Sequence, residues 1–484
     1  MKVGIFQNYI DGKWVDAVSG ATNLIHNPCD GEAVTQVARS DKEDVDLAVA
    51  AARRAFEEED WAFNPRLRAS VLQKWANLMR ENFDRISTCL SLESGKPLQE
   101  ARIECNNAIG YMEYAVASAR TLYGSTSTVP KHRLSVMTRE PVGVVVGIEP
   151  WNYPITLMVR DSIPALAAGN TLVIKPAGQT AGANMEVIRL LVDNVPELPR
   201  GVVNAITGPG GKIGAVFSEH PGVDMITFTG GLDTGKDIME RAAKTMKRVS
   251  LELGGKSANV VFADCDMDKA VAGCAAAIFS NAGQTCTAGS RLVLEESIAE
   301  PFIARLKAVA EGLKLGYCLD PETKMGPVDN EGQMNKILHY IEIGKNCSQL
   351  ITGGYRYTDN GCDKGFFIAP TIFLNPPVDS PIVQDEIFGP VLVIQTFRTE
   401  EEAIQLANCT RYGLCSGLWT QSFDRAMAVS RRLRSGNVWV NNYTGFAPEC
   451  ETGGYKESGL DRAAGVDGFL KYTEIKHINM DFAR

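Results

Sequence analysis

Histidine is scarce in this chain: His26, His132, His220, His339 and His477 are the only five in 484 residues, and none is near another. That spacing offers no zinc-site pattern, and nothing local supports a Cys-His nucleophile pair. Twelve cysteines run from Cys29 to Cys450 without a single C-x-x-C pair, so free thiols in a reducing compartment are expected and a metal site is not. Nowhere are there about 18 uninterrupted apolar residues, so no membrane-spanning helix is expected. The start, Met1 to Asn8, lacks an apolar segment followed by a small-residue cleavage site, and a soluble cytoplasmic protein is expected. Basic residues are outnumbered, 49 to 58, and the net charge of -9 argues against a general binder of nucleic-acid backbones.

What is present is a globular composition, 45% hydrophobic and 22% charged. At about 100 to 200 residues per domain the length implies two to four units. Tyr9 to Val15 has the pattern of a hairpin turning on Asp11-Gly12. Ser40 and Glu43 are spaced as a capping box for a helix running through Ala55. Helical stretches near residues 65 to 92 and 98 to 120 carry charged faces, most of whose charges are expected to be solvated surface. From Val142 onward, strands (Val142 to Ile148, Thr171 to Ile174, Val202 to Ile206, Met225 to Phe228, Val249 to Leu253) alternate with helical runs, the pattern of a parallel α/β sheet. Ligands bind beyond the carboxyl ends of such strands, where Asn152, Lys175, Gly208, Gly230 and Glu252 fall. A second α/β region spans about Gly255 to Ala447, in which a helix from Asp268 to Asn281 feeds the Cys286 loop. Ser125 to Arg139 and Tyr472 to Phe482 alternate like exposed strands, which alone could be edge strands of a monomer.

Cys286 closes the run Asn281-Ala282-Gly283-Gln284-Thr285-Cys286, and Glu252 ends an apolar strand in Leu251-Glu252-Leu253-Gly254-Gly255-Lys256. A thiolate attacks carbonyl carbon, and a carboxylate activates the water that releases the acyl group. The bland alternatives are a packed thiol and a buried hydrogen-bonded cap. Asn152, in Pro150-Trp151-Asn152-Tyr153-Pro154, is either a turn former or the amide donor to an oxyanion, with the Cys286 N-H as second donor. Gly208-Pro209-Gly210-Gly211-Lys212-Ile213-Gly214 and Phe228 to Gly235 each follow a strand and open a helix. Neither is a clean G-x-G-x-x-G; each is an ordinary tight turn or a place where a dinucleotide approaches backbone N-H groups.

These runs, with Glu386-Ile387-Phe388-Gly389-Pro390 and Gly453 to Gly459, resemble in order and spacing the NAD(P)-dependent aldehyde dehydrogenase superfamily, over nearly the whole chain. The resemblance implies an α/β fold: a Rossmann-type cofactor domain (1–123 and 142–254), a catalytic domain (255–450), and β segments at 124–141 and 470–484 that pair between subunits of a homodimer or homotetramer. It implies oxidation of a small aldehyde to its carboxylate. Cys286 is then the nucleophile, Asn152 an oxyanion donor and Glu252 the base that favours hydrolysis of the thioester. Ile148, Pro150, Trp151, Lys175, Ala177, Gly178, Gly208, Gly210, Gly214, Phe228, Thr229, Gly230, Gly231, Thr234, Leu253, Glu386 and Phe388 would hold the cofactor. Lys175 is expected on the adenosine ribose and Glu386 on the nicotinamide ribose. Gly231 replaces a common Ser, and Gly178 stands where NAD-preferring relatives have Glu, so NADP is expected to be tolerated at least.

Substrate contacts are expected from Tyr153, Arg160, Thr285, Thr287, Phe446, Cys450 and Thr452. Betaine-aldehyde and aminoaldehyde relatives often have Trp where this chain has Arg160, whose charge would repel a cation. Succinate-semialdehyde relatives often have Arg there, but also a second Arg where this chain has Ser280. The run Cys286 to Arg291 looks more like the betaine-aldehyde group. Arg160 either meets a substrate carboxylate or pairs with Asp161. Two other classes use the same residues: a cysteine acyl hydrolase without a redox step, and a silent binding protein on the same fold.

Overall fold

The computed structural model describes residues 3–482. Its largest sheet has eight strands, in the order Gly459–Leu460, Arg248–Glu252, Met225–Thr229, Val144–Ile148, Thr171–Lys175, Val203–Ala205, Asn8–Ile10 and Lys13–Val15. The strands from Arg248–Glu252 to Val203–Ala205 are parallel, as intervening helices require. Alternation along Val144–Ile148 serves two cores. Val144 and Val146 pack with Val45, Val49 and Phe217, while Val145 packs with Ile155, Met158 and Ile163. Both faces are covered, so these strands are continuous apolar runs.

A second sheet has seven strands in the order Gln349–Thr352, Thr371–Leu374, Val391–Phe397, Arg291–Glu295, Ala258–Val261, Cys415–Trp419 and Asn437–Val440. All but Gln349–Thr352 are parallel. The two stretches that alternate as exposed strands meet: Thr473–Asp481 pairs antiparallel with Arg133–Pro141, which also pairs with Ser125–Ser127. Gly459–Leu460 returns to the first sheet and pairs with Leu251 and Glu252, bringing the end of the chain to the end of that strand.

Local details differ from the sequence reading. The hairpin turn is in place, with Asp11 and Gly12 at φ of 50° and 79°. The first helix, Lys42–Glu58, is capped by Asp41 with Asp44, not by Ser40 with Glu43. Ser40 is engaged elsewhere: its N-H donates to Thr207 O and its hydroxyl to Asn8 Oδ1. The stretch 65 to 92 is two helices, Pro65–Glu81 and Phe83–Ser94, broken at Asn82. The helix before Cys286 is Met267–Phe279 and stops short of Asn281, because Asn281 and Ala282 take left-handed conformations, φ 50° and 52°.

Candidate active site

Strand register collects the first group of residues. Ile148 is opposite Lys175 and Phe228, and Thr229 is opposite Glu252, so all five share the carboxyl edge of one parallel sheet. Asn152 follows in the loop after Val144–Ile148, and Pro154 then starts the helix Pro154–Ala168, its fixed φ suited to the first helical position.

Hydrogen bonds clasp Asn152 to the Cys286 loop. Asn281 Nδ2 donates to the carbonyls of Asn152 (3.0 Å) and Gln284 (3.2 Å), and Asn152 Nδ2 donates to Gln284 O (3.0 Å). Gln284 spans the turn in return, its amide donating to Asn281 O while its Oε1 accepts from Asp329 N. Gly283, at φ 72°, is needed twice over, since a Cβ there would also lie 2.1 Å from Gly389 O. That contact seats the Glu386 to Pro390 run against the Cys286 loop.

Glycines also bring the Glu252 strand end to both neighbours. A Cβ on Gly254 would strike the Glu386 carboxylate at 2.3 Å, and one on Gly255 would strike Cys286 O at 2.4 Å. Gly255 N donates to Glu386 Oε1 (3.0 Å). The two glycines thus let three separate sequence runs converge, and burial raises the Glu386 carboxyl despite the N-H it accepts.

Most charges on the helices over residues 65 to 120 are exposed as expected, and Glu104 is an exception. Lys96 and Glu104 form a buried pair at 2.5 Å; Lys96 Nζ also donates to Asn152 O (2.7 Å), and Glu104 Oε1 accepts from Ile155 N and Thr156 N at the start of the next helix. Glu100 accepts from Asn281 N. Burial pushes its carboxyl up to about 7, against that N-H and Lys96. The signal was present: Glu104 is on the same helix face as Ala101, Cys105 and Ala108, all buried.

Burial pushes the Cys286 thiol up to about 12, with Arg160 pulling the other way. Burial likewise raises Glu252 to about 7, opposed by Arg160. Glu252 Oε1 has no hydrogen-bond partner among the described residues. Room beside it exists because residue 453 is glycine, whose Cβ would lie 2.9 Å from that oxygen. A carboxyl of this kind, near neutrality with an open oxygen, suits a general base.

Arg160 is committed. Its Nε and Nη2 bond the two oxygens of Asp161 at 2.6 and 3.0 Å, and Thr229 Oγ1 adds a bond to Asp161 at 2.6 Å. Burial works against the Asp161 carboxylate, and Arg160 overrides it, holding the carboxyl below its usual range. Of the other expected substrate residues, Tyr153 OH meets Thr285 Oγ1 at 3.4 Å, and Thr287 O accepts from Tyr443 OH at 2.7 Å. Phe446 is exposed, its ring edge-on to Trp439 at 5.0 Å, and Cys450 is exposed. Thr452 is turned inward and accepts from Asn437 Nδ2 at 2.8 Å.

The cofactor residues leave a fitting cradle. No described atom lies within 4 Å of a Cβ built on Gly178, Gly211, Gly214 or Gly231. The helices Gly210–Glu219 and Leu232–Ala242 both start without a side-chain cap, so their first N-H groups are available to an anion. Lys175 Nζ is near Gly210, 3.4 Å from where a Cβ would be; burial lowers this amine to about 8, against Glu149. Trp151 and Phe388 stack edge to face at 5.4 Å. Gly208 and Gly230 also allow close packing, since a Cβ on them would strike Ser40 O and the Phe228 ring. Leu253 packs where Gly235 leaves space, and Thr234 is exposed at the second helix start.

A parallel α/β sheet ending in a cysteine loop, a carboxylate and an open dinucleotide cradle defines an oxidoreductase of carbonyl compounds. Residues 14–478 match the Aldehyde dehydrogenase family. Betaine aldehyde dehydrogenase of Bacillus subtilis (strain 168) is 40% identical over 474 residues, 97% of this chain and 96% of that protein. Aldehyde dehydrogenase family 2 member C4 of Arabidopsis thaliana is 40% identical over 480 residues, 98% of this chain and 94% of that protein. The crystal structure of betaine aldehyde dehydrogenase from Staphylococcus aureus in complex with NAD+ superposes with a TM-score of 0.97 at 36% identity, over 99% of this chain and 95% of that one. The chain belongs to the aldehyde dehydrogenase family and is an NAD(P)-dependent enzyme acting on small aldehydes. No described helix is long and apolar enough to cross a membrane.

Proposed function

We propose that this enzyme oxidises a cationic aldehyde, of the betaine-aldehyde or aminoaldehyde type, to its carboxylate through a thioester on Cys286. The observation that carries the substrate class is the Arg160–Asp161 pair. Succinate semialdehyde needs an available cation to meet its carboxylate, and Asp161 already takes the Nε–Nη2 edge of the guanidinium and neutralises its charge. Glu449 is exposed on the loop that carries Phe446, and its charge acts on Tyr111 and Tyr114. With the exposed ring of Phe446 on the same loop, it favours a positive headgroup. The 40% identity to a betaine aldehyde dehydrogenase supports the same reading.

Cys286, partly exposed, gives its thiol proton to solvent and attacks the aldehyde carbon. One Asn152 amide hydrogen is committed to Gln284 O, which leaves the second, with the Cys286 backbone N-H, for the oxygen that becomes negative. NAD(P), when bound, supplies the hydride acceptor; Lys175, the helix starts at Gly210 and Gly231, Trp151, Phe388 and Glu386 would hold it. Glu252 then takes a proton from water as its oxygen attacks the thioester, the C–S bond breaks and the thiolate returns.

The same reading assigns the cofactor half to the eight-stranded sheet, with residues 1–123 and 142–254, and the nucleophile to the seven-stranded one, with 255–450. It assigns the Arg133–Pro141 and Thr473–Asp481 sheet, with exposed Leu134, Ile475 and Ile478, to pairing in a homodimer or homotetramer. A monomer by light scattering would overturn that assignment. The substrate reading is tested by kcat/KM on betaine aldehyde, an aminoaldehyde, succinate semialdehyde and a neutral aliphatic aldehyde. A cationic member is expected to lead by about tenfold or more, equivalent to about 1.4 kcal/mol in the transition state; preference for succinate semialdehyde would sink it.

A further inference from the structure

The sheet face beneath Glu252 is polar. Thr229 is opposite Glu252 and Thr227 opposite Ser250 in the parallel register, and side chains at alternate positions share a face. Three cations act on Glu252: Arg160, Lys471 and Arg462. Arg160 is neutralised by Asp161. Arg462 spends its guanidinium on the carbonyls of Asp461 (2.6 Å) and Gly454 (3.4 Å). Lys471, just past the helix Gly465–Leu470, differs from both. Its stem is partly exposed, but its ammonium turns inward and donates to Ser250 Oγ at 2.8 Å, and Ser250 is buried. Among the described residues no carboxylate comes within ion-pairing distance of it, and Tyr472 supplies a ring face at 5.1 Å.

We propose that Lys471 is a positioning residue for deacylation: its ammonium, seated on Ser250 on the strand face that carries Glu252, keeps the Glu252 side chain charged and competent as a base. This rests on the reading of Glu252 as general base. The groups facing Glu252 are Arg160 and Asp161 from the Pro154–Ala168 helix, Lys471 and Arg462 from the C-terminal segment, and Cys286. Asp461 and Asp161 in turn face Lys471. Asp161, bonded to Arg160, repels the Glu252 charge as Arg160 attracts it. The Lys471 charge, bonded to a neutral hydroxyl, has no such counterweight in bonding contact.

The test uses the full-length enzyme with NAD(P) and a saturating aldehyde, comparing kcat across pH with the single-turnover burst of reduced cofactor. Lys471→Gln keeps a donor for Ser250 and removes the charge. Its acidic limb of kcat is expected to move up by about one pH unit or more, so that kcat at pH 7 falls about fivefold or more and recovers in alkali, with the burst unchanged. Lys471→Met should do the same, and serves where the glutamine variant does not fold. Lys471→Arg should keep the wild-type limb, and decides the matter if neither neutral variant folds: a displaced limb there overturns the proposal. An unmoved limb in a folded neutral variant also overturns it. If Glu252→Gln leaves kcat intact, the general-base reading has failed; if Glu252→Gln stops deacylation while Lys471→Gln titrates as wild type, the Lys471 proposal alone has failed.

Discussion

Arg160 grips Asp161 through two hydrogen bonds, 2.6 and 3.0 Å, with both side chains almost sealed from solvent. Removing one member of such a pair leaves the other buried and uncompensated, which costs more than the pair contributes. Arg160→Leu should therefore destabilise the protein by about 3 to 5 kcal/mol, measured by urea unfolding. It should alter KM for succinate semialdehyde and for a neutral aldehyde by the same factor. A selective rise for succinate semialdehyde would restore Arg160 as a reader of substrate carboxylates.

Cys286→Ala should lose aldehyde oxidation by several orders of magnitude, because the covalent route disappears. Cofactor binding, followed by fluorescence titration, should persist. Near-normal turnover would mean that another of the cysteines is the nucleophile, and Cys415, buried against Ser257 and Thr287 O, is too enclosed to serve.

Glu252→Gln should keep the burst of reduced cofactor while the steady-state rate falls by roughly 10²- to 10⁴-fold. The pH dependence has a definite sign. As a general base Glu252 would work as the carboxylate, and burial places its titration at about 7, so wild-type deacylation should be present above that pH and lost as pH falls through it. The thiol of Cys286, raised to about 12, makes the acylation burst faster with rising pH across the neutral range. Equal losses of burst and steady state in Glu252→Gln would contradict the division of labour.

NADP should be accepted at least comparably to NAD, since residue 178 is a glycine with no described atom within 4 Å of the Cβ it lacks. Gly178→Glu fits that space, and its carboxylate would repel a 2′-phosphate. The expected loss in kcat/KM for NADP is on the order of tenfold, about 1.4 kcal/mol. Strong rejection of NADP by the wild-type enzyme would place the discrimination elsewhere.

The order of short runs determined the class of chemistry by itself. Asn152, Glu252, Cys286 and Glu386 each lie within three residues of glycine, proline or a strand end, and those residues limit the backbone in ways that show along a linear chain. Continuous apolar strands such as Val144–Ile148 likewise announce a sheet covered on both faces. The tertiary structure decided which charges are paired. Glu104 shares a helix face with buried Ala101 and Ala108, and only packing against the Asn152 turn shows what it and Glu100 support. Arg160 had two readings, and only the fold brought Thr229 from another strand to hold Asp161 in place beside it. Lys471 is separated from Glu252 by most of the catalytic region, and the return of Gly459–Leu460 to the first sheet is what brings the two together. A charge acts through space over a few ångströms, and sequence spacing carries no record of distances closed by strands from opposite ends of the chain.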